Sequence, residues 1–568
     1  MSPGSFFFVV KYNVIKIQIQ NPNGFSSDDS TGHTVRSLAA GDSFDKKQRI
    51  IDSNIACLEE SIRVLKSHRN DLSPISRLPV EILCKIFKLS LTDSETQVLR
   101  PNSWTNFSQV SQHWRTTALS APELWTNIPL DYPRWAQEML IRSKMANLTI
   151  RSSSSLEIPD SNNIEIIRSS LYELNRVAEI KFAAITGSYL KKNFQDLPKS
   201  APQLHTLCLR AFSSGTAFSI LDDFLCDTER LQHVDLINCK ISWDSRLLTG
   251  LTRLTLHDSL EANSSIIQVL HALQRMPALT DLHLGVSIPD DSEGLSTQVV
   301  VDLPCLRVLD ISDKVGALTA VLRHIIFPSS ATLSLFCTGS QSTQIDFSNF
   351  LSVLAVKFLS TLVIRSLSLN VPYSSYSHHL EFEIPTTALI PTSRMSQSQL
   401  RLVLNWPNSH PRNYVKALTC VIDAMSLSFL TQLQISTSHL NIIDSQTWVK
   451  TFGKLPLLER VRVQCSALLS FLEALVYNTK AAEESEAAYR NVTFPKLRDI
   501  HLVDIHFKFF MVDMLLDCLM ERYERNAEVQ VLRLNNCYDI CSNDVKRLKE
   551  VVVDVIWDGL EDSSYSLV

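Results

Sequence analysis

The segments PALTDLHL (Pro277 to Leu284) and PCLRVLDI (Pro304 to Ile311) share one pattern: an aliphatic residue, two others, a second aliphatic, one other, then a third. The pattern recurs at Leu204/Leu207/Leu209, Leu231/Val234/Leu236 and Leu251/Leu254/Leu256, and again at Leu430/Leu433/Ile435, Leu458/Val461/Val463, Leu497/Ile500/Leu502 and Val529/Leu532/Leu534. Met145/Leu148/Ile150 and Val177/Ile180/Phe182 are weaker early copies. The alternating aliphatics carry the period of a strand with one face buried. Pro202, Pro277, Pro304, Pro456 and Pro495 each stand two residues ahead of a first aliphatic and turn the chain abruptly into it. Between copies, stretches such as Ile266 to Met276 have a helical rhythm, so each unit predicts a strand plus a helix.

Copies starting at 177, 204, 231, 251, 279 and 306 lie 20 to 28 residues apart, the period of leucine-rich repeats. A unit of this kind buries its apolar side only against its neighbours, so residues 131–560 predict an α/β solenoid. Unrelated strands and helices around a parallel sheet are the other reading of the same alternation. Regularity lapses between 336 and 429, where the Ser/Thr/Pro-rich stretch near 371–399 predicts a surface insertion; a second is expected at 478–491, and a tail at 561–568.

With the aliphatics turned inward, the residues between them face outward and would line the concave side. This expected substrate-binding face comprises Arg210, His233, Asp235, Arg253, His257, Asp281, His283, Asp310, Arg460, Arg462, Asp499, His501 and Arg533. Mixed charge of this kind suits selective recognition of a protein partner.

Toward the N-terminus, residues 1–43 read as irregular or disordered, with Asn21 to Asp42 rich in Ser, Gly and Asp. Residues 44–73 predict a helix: Phe44, Ile51, Leu58, Leu65 and Leu72 repeat every seven residues, with Ile55 and Ile62 between them and Glu59 set to pair with Arg63. Such a seam serves equally a single helix packed on the following domain and a coiled-coil homodimer.

Residues 74–130 contain PISRLPVEILCKIFKLS (Pro74 to Ser90) and WTNFSQVSQHWRTTALSAPELW (Trp104 to Trp125). Pro79 suits a first helical position, and Ile82, Leu83, Ile86 and Phe87 gather into an apolar stripe behind it. Phe107, Val110, Trp114 and Ala118 follow a second helical rhythm that Pro122 stops. The segment resembles the F-box-like domains abundant in mushroom-forming fungi, in the opening at Leu72 to Leu83, the helix Val110 to Arg115 and the closing turn Ala118 to Trp125. Ser111 departs from that family, many of whose members have cysteine there. The resemblance implies docking on a Skp-family adaptor of a cullin-RING ubiquitin ligase, through Leu78, Pro79, Ile82, Leu83, Ile86, Phe87, Val110 and Trp114.

The rest of the chain offers little to catalysis. Its 568 residues hold 13 glycines, and no phosphate-loop, nucleophile-elbow or zinc-protease motif occurs. Twelve cysteines form no C-x-x-C pair, so neither a metal nor another cofactor is expected, and the setting reads as reducing, cytoplasmic or nuclear. A net charge of −5 argues against nucleic-acid binding. The FFFVV run at Phe6 to Val10 lacks the basic flank of a signal peptide, and no apolar stretch reaches the ~18 residues of a membrane span. The expectation is a non-enzymatic adapter joining a Skp–cullin scaffold to an unknown protein substrate. The alternative is a non-ligase interaction protein that dimerises through its heptads.

Overall fold

The repeated aliphatics form strands, and the strands pair with one another in chain order. This follows from a computed structural model that describes residues 43–92, 106–152, 161–185, 199–211, 218–220, 225–259, 265–285, 299–339, 347–372, 378–386, 398–406, 412–438, 443–480, 492–507 and 510–561. The expected disorder of 1–42 lies outside the described residues, as do 562–568 and most of 478–491. Residues 1–87 with 105–118 form one unit, and 88–104 with 119–568 another.

Among the described residues of the larger unit, seventeen strands make one sheet. They are β1 (Asn127–Pro129), β2 (Leu148–Ser152), β3 (Val177–Ile185), β4 (Thr206–Ala211), β5 (His233–Ile237), β6 (Arg253–His257), β7 (Asp281–Gly285), β8 (Val308–Lys314) and β9 (Thr332–Thr338). There follow β10 (Ser366–Val371), β11 (His378–Pro385), β12 (Ser398–Trp406), β13 (Gln432–Thr437), β14 (Arg460–Cys465), β15 (Asp499–Val503), β16 (Val531–Asn535) and β17 (Asp554–Trp557). From β1 to β9, and from β13 to β17, each strand lies parallel to the next.

The order breaks once. β9 pairs with β12, β12 with β11, β11 with β10 and β10 with β13; the two pairings that involve β11 are antiparallel. Residues 371–399, expected as a surface insertion, therefore supply β11 and the start of β12, both inside the sheet. The sequence HLEFEI (His379 to Ile384) alternates strictly, with Leu380, Phe382 and Ile384 buried. That alternation decides the matter over the polar composition on either side of it.

Register holds the triplets in rows. Leu207, Val234, Leu254 and Leu282 are successive partners, as are Leu209, Leu236, Leu256 and Leu284, and all are buried. Several strands leave the sheet through an Asn or Asp with positive φ: Asn238 at 55°, Asp258 at 48°, Asp504 at 52° and Asn536 at 50°. These are the non-glycine residues that best tolerate that conformation. Asn238 N donates to His257 O and Asp258 N to Gly285 O, both at 2.9 Å, so each turn is pinned to the strand beside it.

In the smaller unit, helix α1 (Phe44–Asp71) is capped by Ser43, whose side chain accepts from Lys46 N. Arg63 pairs with Glu60 at 2.5 Å rather than with the expected Glu59. No residue of α1 is buried. A 3₁₀ turn, Pro74–Arg77, follows, tied to the end of α1 by Ser76 Oγ donating to Asn70 O at 2.7 Å. Then come α2 (Val80–Thr92), a second 3₁₀ turn Phe107–Gln109, and α3 (Gln112–Ser120).

Candidate adaptor and substrate surfaces

The start of α2 is set by Pro79, whose carbonyl accepts from Ile82 N at 3.0 Å and Leu83 N at 3.1 Å. Successive helical residues are turned about 100° from each other, so the four apolar residues that follow cannot all face one way. Leu83 and Phe87, at 0% and 1% exposure, point inward. Phe87 stacks on Phe107 with centroids 4.7 Å apart and leans on Trp114 at 5.0 Å. Burying two such side chains contributes roughly 1.5–3 kcal/mol each. Ile82 and Ile86, 44% and 38% exposed, lie on the outer side, and Val110 is 54% exposed.

The residues expected to touch an adaptor thus divide. Pro79, Ile82, Ile86 and Val110 are exposed, Leu78 and Trp114 are half-buried, and Leu83 and Phe87 are interior and hold the helices together. The Ser111 departure also has a physical account, because its Oγ accepts from Trp114 N at 3.1 Å and caps α3.

On the larger unit the outward residues of the strands form two rows. One runs Glu179, Thr206, His233, Arg253, Asp281; the other runs Lys181, Cys208, Asp235, Thr255, His283, Asp310, Ser334, Arg401, Glu383. After β10, the rows continue as Arg460, Asp499 and as Arg462, His501, Arg533. The sequence-expected residues therefore do share a face, with Arg210 and His257 one step further along their strands.

Most charges on this face are already neutralised across strands. Arg210 Nη2 donates to the buried Asp235 at 2.6 Å, Arg253 pairs with Asp281 at 3.3 Å, and Asp499 lies between Arg460 at 3.1 Å and Arg533 at 3.4 Å. His283 Nδ1 lies 3.3 Å from Asp310. Its hydrogen bond to that carboxylate raises the His283 pKa above the ordinary value against the effect of burial. Burial works to raise Asp310, yet His283 and Ser334 hold its carboxyl below the usual range. His233 and His501 are shifted down, in both cases chiefly by burial. His501 Nε2 is 2.7 Å from Asn535 Oδ1.

Gly285 makes room for its neighbour: a Cβ there would come within 1.9 Å of His257 Nδ1 on the adjacent strand, so the imidazole would have to turn away. The histidines stand at different positions along their strands, and no group able to hold a metal occurs among the described residues.

Sequence reasoning missed further members of this face. Arg401 pairs with Glu381 at 2.7 Å, and Glu179 takes Lys181 at 2.5 Å. The first pair was hidden by the reading of 371–399 as an insertion; the alternation in HLEFEI was the available signal. Arg462 differs from its neighbours. Its half-buried guanidinium has no carboxylate within ion-pair distance among the described residues, and its Nε has no acceptor. Burial pulls its pKa below the ordinary value, against the attraction of Asp504.

With these surfaces in view, the likeness to known proteins falls on the helical segment. Residues 75–130 match the family model described as F-box-like, so the chain carries an F-box-like domain there. No curated protein matches the chain. Among the described residues no helix is long and apolar enough to cross a membrane.

Proposed function

We propose that the chain is the substrate-recognition adapter of a Skp–cullin–F-box ubiquitin ligase, acting in the cytoplasm or nucleus without bond chemistry of its own. The F-box-like match implies a Skp-type adaptor as partner. The observation that carries the reading is the outer side of that domain, where Ile82, Ile86 and Val110 are exposed although the inner side is packed. Apolar side chains held on a rigid helix in this way are the ordinary form of a docking surface.

The parallel strands of the larger unit, with helices such as Ile266–Gln274, Val315–His324 and Met511–Glu524 between them, support a leucine-rich-repeat solenoid with the polar rows on its concave side. That face selects the substrate by charge complementarity, and the adapter then acts by raising effective concentration near the ubiquitin-loaded enzyme. Co-purification of the full chain with a Skp-family adaptor tests the reading. Wild type binds; Ile82→Asp/Ile86→Asp does not, while its unfolding midpoint stays within that of wild type. Failure of the wild type to bind removes the ligase role.

A second reading, a non-ligase interaction protein that dimerises through α1, is favoured by the exposed apolar side of that helix.

A further inference from the structure

We propose that α1 binds a second copy of this chain, the two helices lying parallel and in register as a two-stranded coiled coil. The proposal deepens the second reading above and stands whether or not the F-box-like segment docks an adaptor. None of the helix's 28 residues is buried, yet Ile51, Ile55, Leu58, Ile62 and Leu65 follow one another at alternating spacings of four and three. Each of the five is at least 41% exposed. A stripe of that kind is costly to leave in water, and its natural cover is another stripe with the same repeat.

The identity of the residues fixes the arrangement. Reading the spacing as a heptad puts Ile55 and Ile62 at the first core position and Ile51, Leu58 and Leu65 at the second. Within a parallel arrangement, β-branched residues at the first with leucine at the second favour two strands. In register, the five layers at 51, 55, 58, 62 and 65 stack without interruption, each residue on its own counterpart. The two best antiparallel alignments instead set Leu65 against Gln48 or Ile51 against Arg69, and so lose a layer.

At the flanking positions charge agrees with this alignment, and the one like-charge core contact, Arg69 on its own counterpart, falls beyond the last apolar layer at the frayed end of the seam. In a parallel pair the residue flanking one core position reaches the residue five places later on the partner helix. Lys47 thus meets Asp52 of the second copy, and the contact occurs twice by symmetry. The next flanking pairs, Asn54 with Glu59 and Ser61 with Lys66, bring no like charges together.

The experiment is light scattering on the purified full chain at about 50 µM, a concentration at which a micromolar association is populated. The expected mass is twice that of the 64.1 kDa chain, falling to one chain in Ile55→Asp/Ile62→Asp. Lys47→Glu weakens the dimer by about fivefold and Lys47→Glu/Asp52→Lys restores it, a rescue that a merely misfolded helix does not give. Under oxidation, Ile51→Cys forms an intermolecular disulfide that peptide mapping assigns to position 51, distinct from any formed by the exposed thiols of Cys57, Cys226, Cys305 and Cys541, because only the parallel register brings position 51 to itself.

A wild-type chain of single mass overturns the proposal, whether another protein or residues ahead of α1 cover the seam. So does a dimer that survives Ile55→Asp/Ile62→Asp. A dimer without the Ile51→Cys disulfide overturns the parallel arrangement. Adaptor binding is scored separately: a monomer that binds the adaptor sinks this proposal alone, and a dimer that does not bind sinks only the ligase role.

Discussion

On the larger unit, Asp235 is held by Arg210, Asp281 by Arg253, Asp310 by His283, and Asp499 by two arginines. On the smaller unit, Ile82, Ile86, Val110 and the whole seam of α1 lie at the surface. The first region pairs most of its charges internally, so a ligand there must compete with contacts already made and gains specificity more than affinity. The second leaves apolar area in water that its own fold does not use, and there association gains free energy. Under the proposed function, the contrast assigns strong binding to the helices and discrimination to the sheet.

The sharpest way to break that contrast is within one helix. Phe87→Ala empties a packed aromatic site and should cost about 3–5 kcal/mol, whereas Ile86→Ala one residue away should cost less than about 1 kcal/mol. Urea midpoints measure both, and equal losses would mean that the outer side of α2 is core after all. Next in size is Asp499→Ala, which strips the shared acceptor from Arg460 and Arg533. A loss of about 1–2 kcal/mol is expected, since both arginines keep partial access to water.

Arg462→Gln sharpens the comparison from the other side. Because its guanidinium has no carboxylate partner among the described residues, the change should leave thermal stability within about 0.5 kcal/mol of wild type. A loss as large as that of Asp499→Ala would show that this face leaves no charge free.

The smallest effect is a pH dependence. With its pKa raised, His283 contributes stability that is fully present below the unfolded histidine value and lost as pH rises through the folded one. Asp310, with its pKa lowered, contributes above the unfolded aspartate value and loses this as pH falls. Between pH 6 and 8, wild type should therefore lose up to about 2 °C of melting temperature relative to His283→Gln, a small shift because both groups are partly exposed. Parallel melting curves for the two proteins would contradict the pairing.

The strands were legible because aliphatic period and strand burial are the same fact stated twice: Leu282 and Leu284 recur where a sheet must be filled. The face followed from alternation alone, so Asp281, His283 and Asp310 fell where they were expected. The missed hairpin shows the limit of composition. His379 to Ile384 alternates as cleanly as any repeat, but its Ser- and Thr-rich flanks outweighed the pattern. On α2, periodicity placed Ile82, Leu83, Ile86 and Phe87 on one stripe, while the helix turns the members of each adjacent pair to different sides. Which side is inner depends on Phe107 and Trp114, contacts that no local pattern carries.

The strand order around β10 bears on how the chain is made. During synthesis β10 emerges directly after β9, yet its place is three positions away, and the two strands that fill the gap end only at Trp406. For that interval β9 presents an open edge of the kind on which other neighbouring repeats dock, and β10 must stay off it. Lateral continuity between the first nine strands and the last six thus runs through a single late-arriving hairpin.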